Sequence, residues 1–345
     1  MHLIDASNAE GYLRATGRVL PHEQVKVREL AGGVSNVVLL VTFPDKHRPA
    51  FVLKQAREQL RVAQPWFCSP ERIWREVEVL KACGELVDEL EFTGLTIGVP
   101  RLLFEDREQY TFAMTAADRH ALPWKTQLLR GDGGRRVAQA CGRLLATLHA
   151  RSWRQADLAQ RFDDRKFFED LRVDPYYREI ARVHPAIEPL IAELIASLNV
   201  SRLGLVHGDF SPKNLLVSDR EVVLIDFEVG HYGDPAFDVG FFLSHLVLKA
   251  IHFGDTSDVS ALPLLFWNEY ATRMRERFAP LEISALDRRS GSNLLACVLA
   301  RIDGKSRVEY LSEAERERIR LRALAAMDSD VRNIGDVVLA LLVDK

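Results

Sequence analysis

Two short apolar runs, Leu203-Gly204-Leu205-Val206 and Val222-Val223-Leu224-Ile225, constrain the fold of this chain more than any other feature. Each is too short for a helix and too apolar for a loop, so each reads as a buried strand. The first runs into His207-Gly208-Asp209-Phe210-Ser211-Pro212-Lys213-Asn214, and the second into Asp226-Phe227-Glu228. Gly, Ser and Pro mark the intervening stretch as loop. Asp209, Asn214 and Asp226 therefore emerge where strands give way to loops. Asn214 and Asp226 offer hard oxygen ligands from adjacent strand ends, a donor set that suits Mg²⁺.

The flanking sequence divides in character. Before residue 116 it reads as strand-rich. Gln24 to Glu29 alternates, with Val25 and Val27 on one face. Val37 to Val41 follows a glycine pair, and Phe51-Val52-Leu53 follows a turn, which makes a hairpin. Glu71 to Leu86 reads as a helix with Ile73, Val77, Leu80 and Cys83 on one stripe, capped by Ser69 with Pro70 at its first position. Val99 to Phe104 and Tyr110 to Met114 read as two more strands. Beyond a connector near 115–120 the pattern turns helical. Arg135 to Ala150 faces Val137, Cys141, Leu144, Leu145 and Leu148 inward, and helical patterns resume from Asp238 to the end.

The chain of 345 residues is long enough for two domains, with boundaries expected at 1–116 and 117–345. A net charge of −3 gives no support for a nucleic-acid partner. None of the four cysteines lies in a C-x-x-C pair, which disfavours a zinc site and suits reduced thiols. No signal peptide pattern opens the chain and no apolar stretch reaches membrane length, so the expected location is the cytoplasm, with no membrane partner.

Protein kinases use a loop H-R-D-x-x-x-x-N, whose Asp accepts the substrate hydroxyl proton and whose Asn holds Mg²⁺; a D-F-G follows, whose Asp binds Mg²⁺. Here the loop is H-G-D-x-x-x-x-N and the later motif is D-F-E, in the same order around two strands. Gly-Asp alone is a common turn pair, so the weight rests on the joint pattern. Upstream residues agree with it. Gly32, Gly33 and Ser35 lie between two strands, where glycines let backbone N–H groups approach phosphate, although Gly-Gly in a hairpin is more often a plain turn. Lys54 ends the run Val52-Leu53-Lys54, with Glu76 on the following helix as its expected ion-pair partner and Glu78 as the competitor on another face. Met114 and Thr115 end the last strand before the connector, where backbone groups could meet a nucleotide base.

With His207-Gly208-Asp209, Asn214, Asp226-Phe227-Glu228 and Gly233-Asp234-Pro235-Ala236-Phe237-Asp238-Val239-Gly240 in place, the chain resembles the aminoglycoside phosphotransferase and choline kinase superfamily from about residue 25 to 250. The resemblance implies an α+β, protein-kinase-like two-lobed fold: an N-terminal antiparallel sheet with one helix, then a larger, mainly helical C-terminal lobe. It implies Asp209 as catalytic base, Asn214 and Asp226 as Mg²⁺ ligands, and Asp238 as the residue that starts a helix and holds the catalytic loop. ATP or GTP is the implied co-substrate and a small-molecule hydroxyl the acceptor. Asp226 to Asp238 is too short for a protein-kinase activation segment, and no A-P-E follows.

The stretch Leu53-Lys54-Gln55-Ala56, Leu60-Arg61-Val62, Trp66, Arg72 and Glu76, with His231-Tyr232-Gly233, resembles 5-methylthioribose kinases more specifically, and Arg301 is similar in place to an arginine that contacts the sugar there. Asn214 and the Gly-Asp-Pro at 233–235 depart from that family toward antibiotic kinases. Aminoglycoside, macrolide, choline and homoserine kinases remain alternatives, as does a nucleotide-binding module without chemistry. Trp124 reads as a packing residue or a cleft residue, and Glu228 as a solvated residue or an added metal contact. The sequence leaves monomer and homodimer open.

Overall fold

A computed structural model describes residues 2–30, 36–45, 47–58, 69–88, 90–254 and 257–343. The strands are β1 (Lys26–Glu29), β2 (Asn36–Thr42), β3 (Phe51–Ala56), β4 (Leu90–Phe92), β5 (Leu95–Gly98), β6 (Leu102–Asp106), β7 (Thr111–Thr115), β8 (Leu122–Pro123), β9 (Gly204–Val206), β10 (Leu215–Val217), β11 (Glu221–Leu224) and β12 (His231–Gly233). The helices are α1 (Ala9–Ala15), α2 (Arg72–Leu86), α3 (Trp124–Leu128), α4 (Arg135–Ser152), α5 (Ala156–Arg161), α6 (Lys166–Phe168), α7 (Glu179–Val183), α8 (Glu188–Val200), α9 (Ala236–Phe253), α10 (Leu262–Arg275), α11 (Pro280–Asp303), α12 (Glu313–Asp328) and α13 (Ile334–Leu342). A π-helical stretch, Glu169–Arg178, joins α6 to α7.

The chain forms two compact units. The first holds residues 1–85 and 99–120, and the second 86–98 and 121–345. The sequence placed one boundary at 116/117. The structure carries the first unit to His120 and gives 86–98 to the second unit, because β5 pairs in parallel with β11, Ile97 opposite Val222. Parallel pairing between distant segments leaves no turn signal for a sequence reading to find.

In the first unit the sheet order is β1-β2-β3-β7-β6, antiparallel throughout. Val37, Leu39, Val41, Leu53 and Ala113 form its core with Leu13 of α1. The expected stripe on α2 is buried at Ile73, Val77, Leu80 and Cys83. The helix begins at Arg72, one residue later than expected, and Ser69 Oγ accepts from Glu71 N at 3.3 Å.

In the second unit β4-β5-β11-β10-β8 makes a small sheet, and β9 pairs with β12. The two strands that opened the sequence argument thus lie in different sheets. α9 is the central helix, buried along nearly its whole length. Contrary to the expectation from the sequence that no apolar stretch reaches membrane length, it is apolar and long enough to cross a membrane by length and composition, yet 89% of it is buried in the rest of the molecule. α11 packs on α9 so closely at Gly240 that a Cβ there would lie 2.6 Å from Asn293 Cβ. Cys83, Cys141 and Cys297 are buried, and Cys141 and Cys297 are free thiols. The charged helix α12 is tied down at both ends of its first turns: Arg320 pairs with Asp303 at 2.7 Å, and Glu315 both closes a capping box with Ser312 and meets His252 at 3.2 Å.

Candidate active site

The candidate catalytic loop is built by hydrogen bonds that the motif residues make with one another. β10 and β11 form a hairpin in which Leu215 faces Leu224. Asn214 precedes β10 and Asp226 lies two residues past β11, and Ile225 N donates to Asn214 O at 2.9 Å. The open end of the hairpin therefore sets Asn214 and Asp226 side by side. Strand β10 was not separately read from the sequence. The hairpin it makes is what brings Asn214 and Asp226, the two expected oxygen ligands, together. Asp226 has φ +72°, a left-handed conformation that Asp tolerates better than most residues and that recurs at functional positions.

Asn214 Nδ2 donates to Asp209 Oδ2 at 2.8 Å and to Asp209 O at 3.0 Å. The amide nitrogen is committed to Asp209, which leaves Oδ1 as the atom that could ligate a cation. Asp209 is buried and accepts two further cations: Arg172 Nη2 on Oδ1 at 2.7 Å and Lys213 Nζ on Oδ2 at 2.9 Å. Burial alone would raise its pKa. Arg172 and then Lys213 outweigh burial and bring it down to about 2. The carboxylate is ionised at any working pH, so it is suited to accept a hydroxyl hydrogen bond and aim the oxygen.

Asp238, at the start of α9, is fully buried and holds this loop. Its Oδ2 accepts from His207 N at 2.7 Å and its Oδ1 from Gly208 N at 2.9 Å. His149 Nε2 lies 3.3 Å from Oδ2. Burial pushes the Asp238 carboxyl up, but His149 and His207 bring it below the ordinary value. His207 Nδ1 accepts from Asp209 N at 3.1 Å, which leaves Nε2 to donate to Ile225 O at 3.2 Å. Burial pulls the His207 pKa down, so the ring is neutral and bridges the catalytic loop to the residue before Asp226. Both residues brace the loop, as the resemblance implied for Asp238. Gly208 has φ +75°, and a Cβ there would meet Val229 Cγ1 at 2.7 Å. Both facts account for glycine where a protein kinase has arginine.

Arg172 was not visible in the sequence reading. It lies in the π-helical stretch, 36 positions before Gly208, whose carbonyl accepts from its Nε at 2.7 Å. No spacing or motif ties it to the loop, and Pro175 within that segment argues against any regular helix there. The fold alone brings it to Asp209.

In the first unit, Lys54 Nζ meets Glu76 Oε1 at 2.6 Å, both side chains buried. Glu78 instead pairs with Lys81 at 3.1 Å, which settles the choice between the two glutamates. Met114 has strand neighbours on both sides, Val52 and Leu102. Thr115 N is committed to Arg101 O at 2.9 Å, so that amide is not available to a base. Gly32, Gly33 and Ser35, and the stretch Leu60 to Trp66, lie outside the described residues. Trp124 is fully buried and stacks on Phe242 at 6.1 Å, a packing residue. Among the described residues no group of three or more His, Cys, Asp or Glu is arranged around a metal position. An amide oxygen and one carboxylate still fit Mg²⁺, which takes few protein ligands and completes its shell with water and phosphate.

The order of these elements, a five-stranded antiparallel sheet with two helices, α1 and α2, where the sequence led us to expect one, followed by a mainly helical unit around a D-x-x-x-x-N loop, defines an α+β, protein-kinase-like fold. It is the fold of choline kinase from Cryptosporidium parvum (TM-score 0.60, 14% identity, 98% of both chains) and of an amicoumacin kinase solved with AMP-PNP and Ca²⁺ (TM-score 0.52, 16% identity, 94% of both chains). Residues 26–281 match the phosphotransferase enzyme family, and the chain belongs to that family. Among curated relatives, methylthioribose kinase of Escherichia coli is 26% identical over 66% of this chain, and that of Yersinia enterocolitica 27% over 72%. The matched region spans 58% and 66% of those two proteins.

Proposed function

We propose that this protein is a small-molecule kinase that moves the γ-phosphate of ATP to a hydroxyl of a sugar-like acceptor. The observation that carries the reading is the junction of Asp209, Asn214 and Asp226, with Asn214 tied to Asp209 at 2.8 Å and set beside Asp226 at the hairpin end. Family membership supports phosphoryl transfer, and similarity to methylthioribose kinases favours a sugar acceptor over choline or an aminoglycoside.

In this reading Lys54, held by Glu76, draws the α- and β-phosphates into place. Gly32, Gly33 and Ser35 cover the phosphates, and the end of β7 at Met114 and Thr115 meets the base through groups other than the committed Thr115 amide. Asn214 Oδ1 and Asp226 hold Mg²⁺, which neutralises charge on the phosphates. Asp209 accepts the hydrogen bond of the acceptor hydroxyl and points its oxygen at the phosphorus. Lys213, now on Asp209, is placed to follow the transferred phosphoryl charge. Arg172 fixes the Asp209 carboxylate from its other side. The buried free thiols suit a reducing compartment, and we place the protein in the cytoplasm.

The test is coupled detection of ADP with methylthioribose and other polyols, Mg²⁺ and ATP. Asp209→Asn should lower kcat by about 10²- to 10⁴-fold, the range of positioned acid–base groups. Asn214→Ala and Asp226→Ala should abolish the Mg²⁺-dependent rate. If Asp209→Asn kept the wild-type rate on its best acceptor, the mechanism would be wrong. Binding of Mg·ATP without ADP formation on any acceptor would instead favour a nucleotide-binding module.

A further inference from the structure

A cluster of cations lies in the second unit one layer of side chains away from Asp209, and the phosphoryl-transfer machinery does not use it. α9 carries Asp238 in its first turn and then Phe241, His245 and Lys249 at intervals of three or four residues, so these share a face. The Phe241 ring lies 5.0 Å from that of His245 on one side and under the Arg172 guanidinium, 5.4 Å away, on the other. Arg172 in turn holds Asp209. Arg301, in the last turn of α11, reaches Tyr176 Oη at 3.3 Å, and the Tyr176 ring packs on Phe241 at 5.7 Å. Lys249 Nζ sits 5.3 Å from the centre of the Tyr310 ring.

The polar balance of this cluster is incomplete. Lys249 is 1% exposed, yet its Nζ has one hydrogen bond, to His245 O at 3.2 Å. His245 is 9% exposed with no partner on Nε2. Arg301 Nε and Tyr310 Oη are also buried and unpartnered. Among the described residues, none of Lys249, His245 and Arg301 forms an ion pair with a carboxylate. The carboxylate that acts on Lys249 is Glu309, which is itself 80% exposed and leans on Lys125 at 3.9 Å. Burial, then Arg301 and Lys125, drag the Lys249 ammonium down to about 7, and burial, then Arg301 and Lys249, holds His245 well below the ordinary imidazole value. Buried cations without counter-charge are costly, and unpaired buried donors add to the cost. A bound anion removes both costs at once.

We propose that His245, Lys249, Arg301 and Tyr310 form a subsite for a compact anionic group on the acceptor, so that the acceptor is a hydroxy acid or sugar acid. Arg301 and Tyr310, half-buried, meet the anion with the partnerless His245 Nε2. Lys249 supplies charge from beneath. The packing of Phe241 against Tyr176 sets the subsite's distance from the carboxylate that aims the hydroxyl. The same charges repel quaternary ammonium and polyamine acceptors. The inference rests on the kinase reading for its reaction, and on the cluster alone for its ligand.

Two measurements separate the inference from the reading beneath it. The first is the melting temperature of the full chain with D-glycerate, D-erythronate or D-ribonate, against glycerol, erythritol, ribitol and choline at matched ionic strength. The acids should raise Tm and their neutral or cationic counterparts should not. Lys249→Met should fold, because an apolar replacement of a buried unpaired cation is tolerated, and Arg301→Gln should fold because its amide can still donate toward Ser306 at the half-exposed end of α11; each should lose that rise. The second is coupled ADP release with the same compounds. Turnover of an acid should fall about 10- to 100-fold in kcat/KM in either variant, mainly through KM, while KM for ATP holds. No rise in Tm from any acid, or a rise equal in wild type and both variants, overturns the subsite. Turnover of neutral polyols or choline in preference to the acids overturns it too, and leaves the kinase reading standing. Acid binding lost in the variants, with no Mg·ATP-dependent ADP release on any acceptor, upholds the subsite and sinks the kinase reading.

Discussion

Asp209 owes its charge to neighbours that the sequence does not place near it. Burial favours the neutral acid, and Arg172 with Lys213 reverses that preference. Its depressed pKa means that the ionised carboxylate stabilises the folded chain at pH above 3.8, and that this contribution fades as pH falls toward about 2. The rate of the native protein should therefore show no acid limb from Asp209 in the range where the protein is handled. Arg172→Met removes the largest lowering influence. The acid limb of kcat/KM should then climb by about 1–3 pH units, the usual effect of an adjacent guanidinium. A limb that stays put would show that Arg172 serves packing alone. Lys54 and Glu76 make the other residue-scale case. Lys54→Met leaves the Glu76 charge buried without its lysine, at about 3–5 kcal/mol, and Lys54→Met with Glu76→Gln should regain most of the lost Tm. Activity should stay low in both, since the lysine's role with phosphate is not restored. A double variant with recovered kcat would remove Lys54 from the mechanism.

At the scale of elements, the sequence was most informative where one helix or strand decides its own burial. The stripe of Ile73, Val77, Leu80 and Cys83 and the inward face of α4 are buried as their 3.6-residue spacing requires. Strands β2, β3 and β7 formed where β-branched and aromatic residues cluster. The π-helical Glu169–Arg178 was not legible, because its hydrogen bonding depends on what packs around it and its Pro175 points the other way. Gly240 shows a motif whose presence was visible and whose reason was not. It closes the run Gly233 to Gly240 because α11 passes within contact distance, with Leu294 N 2.6 Å from where a Cβ would stand. Gly240→Val should cost about 1–3 kcal/mol or more through overpacking, read as a fall in Tm and urea midpoint. An unchanged melting temperature would mean that the two helices separate freely there.

For the whole molecule, the chain order differs from the order of the units. Residues 86–98 leave the first unit and return, and β5 is locked to β11 through Ile97 and Val222. A fragment of residues 1–120 would carry β4 and β5 without the strand that completes their sheet, so an unpaired apolar edge is exposed. That fragment should aggregate or show a broad, non-cooperative melt. Replacing 86–98 in it with a short Gly-Ser linker should restore solubility. A sharp two-state transition in the unmodified fragment would refute this division.

The sequence by itself determined the order of strand, loop, strand and helix, the spacing of Asp209, Asn214 and Asp226 along it, the place of Lys54 near the end of a strand, and membership of a kinase-like fold. These follow from local pattern, where spacing along the chain is also spacing in space. The tertiary structure alone decided that Glu76 rather than Glu78 meets Lys54, that Arg172 stands on Asp209, and that His245, Lys249 and Arg301 share one under-neutralised cluster. Each joins residues far apart in the chain, through packing of helices whose own sequences record which face is apolar but not what that face will meet.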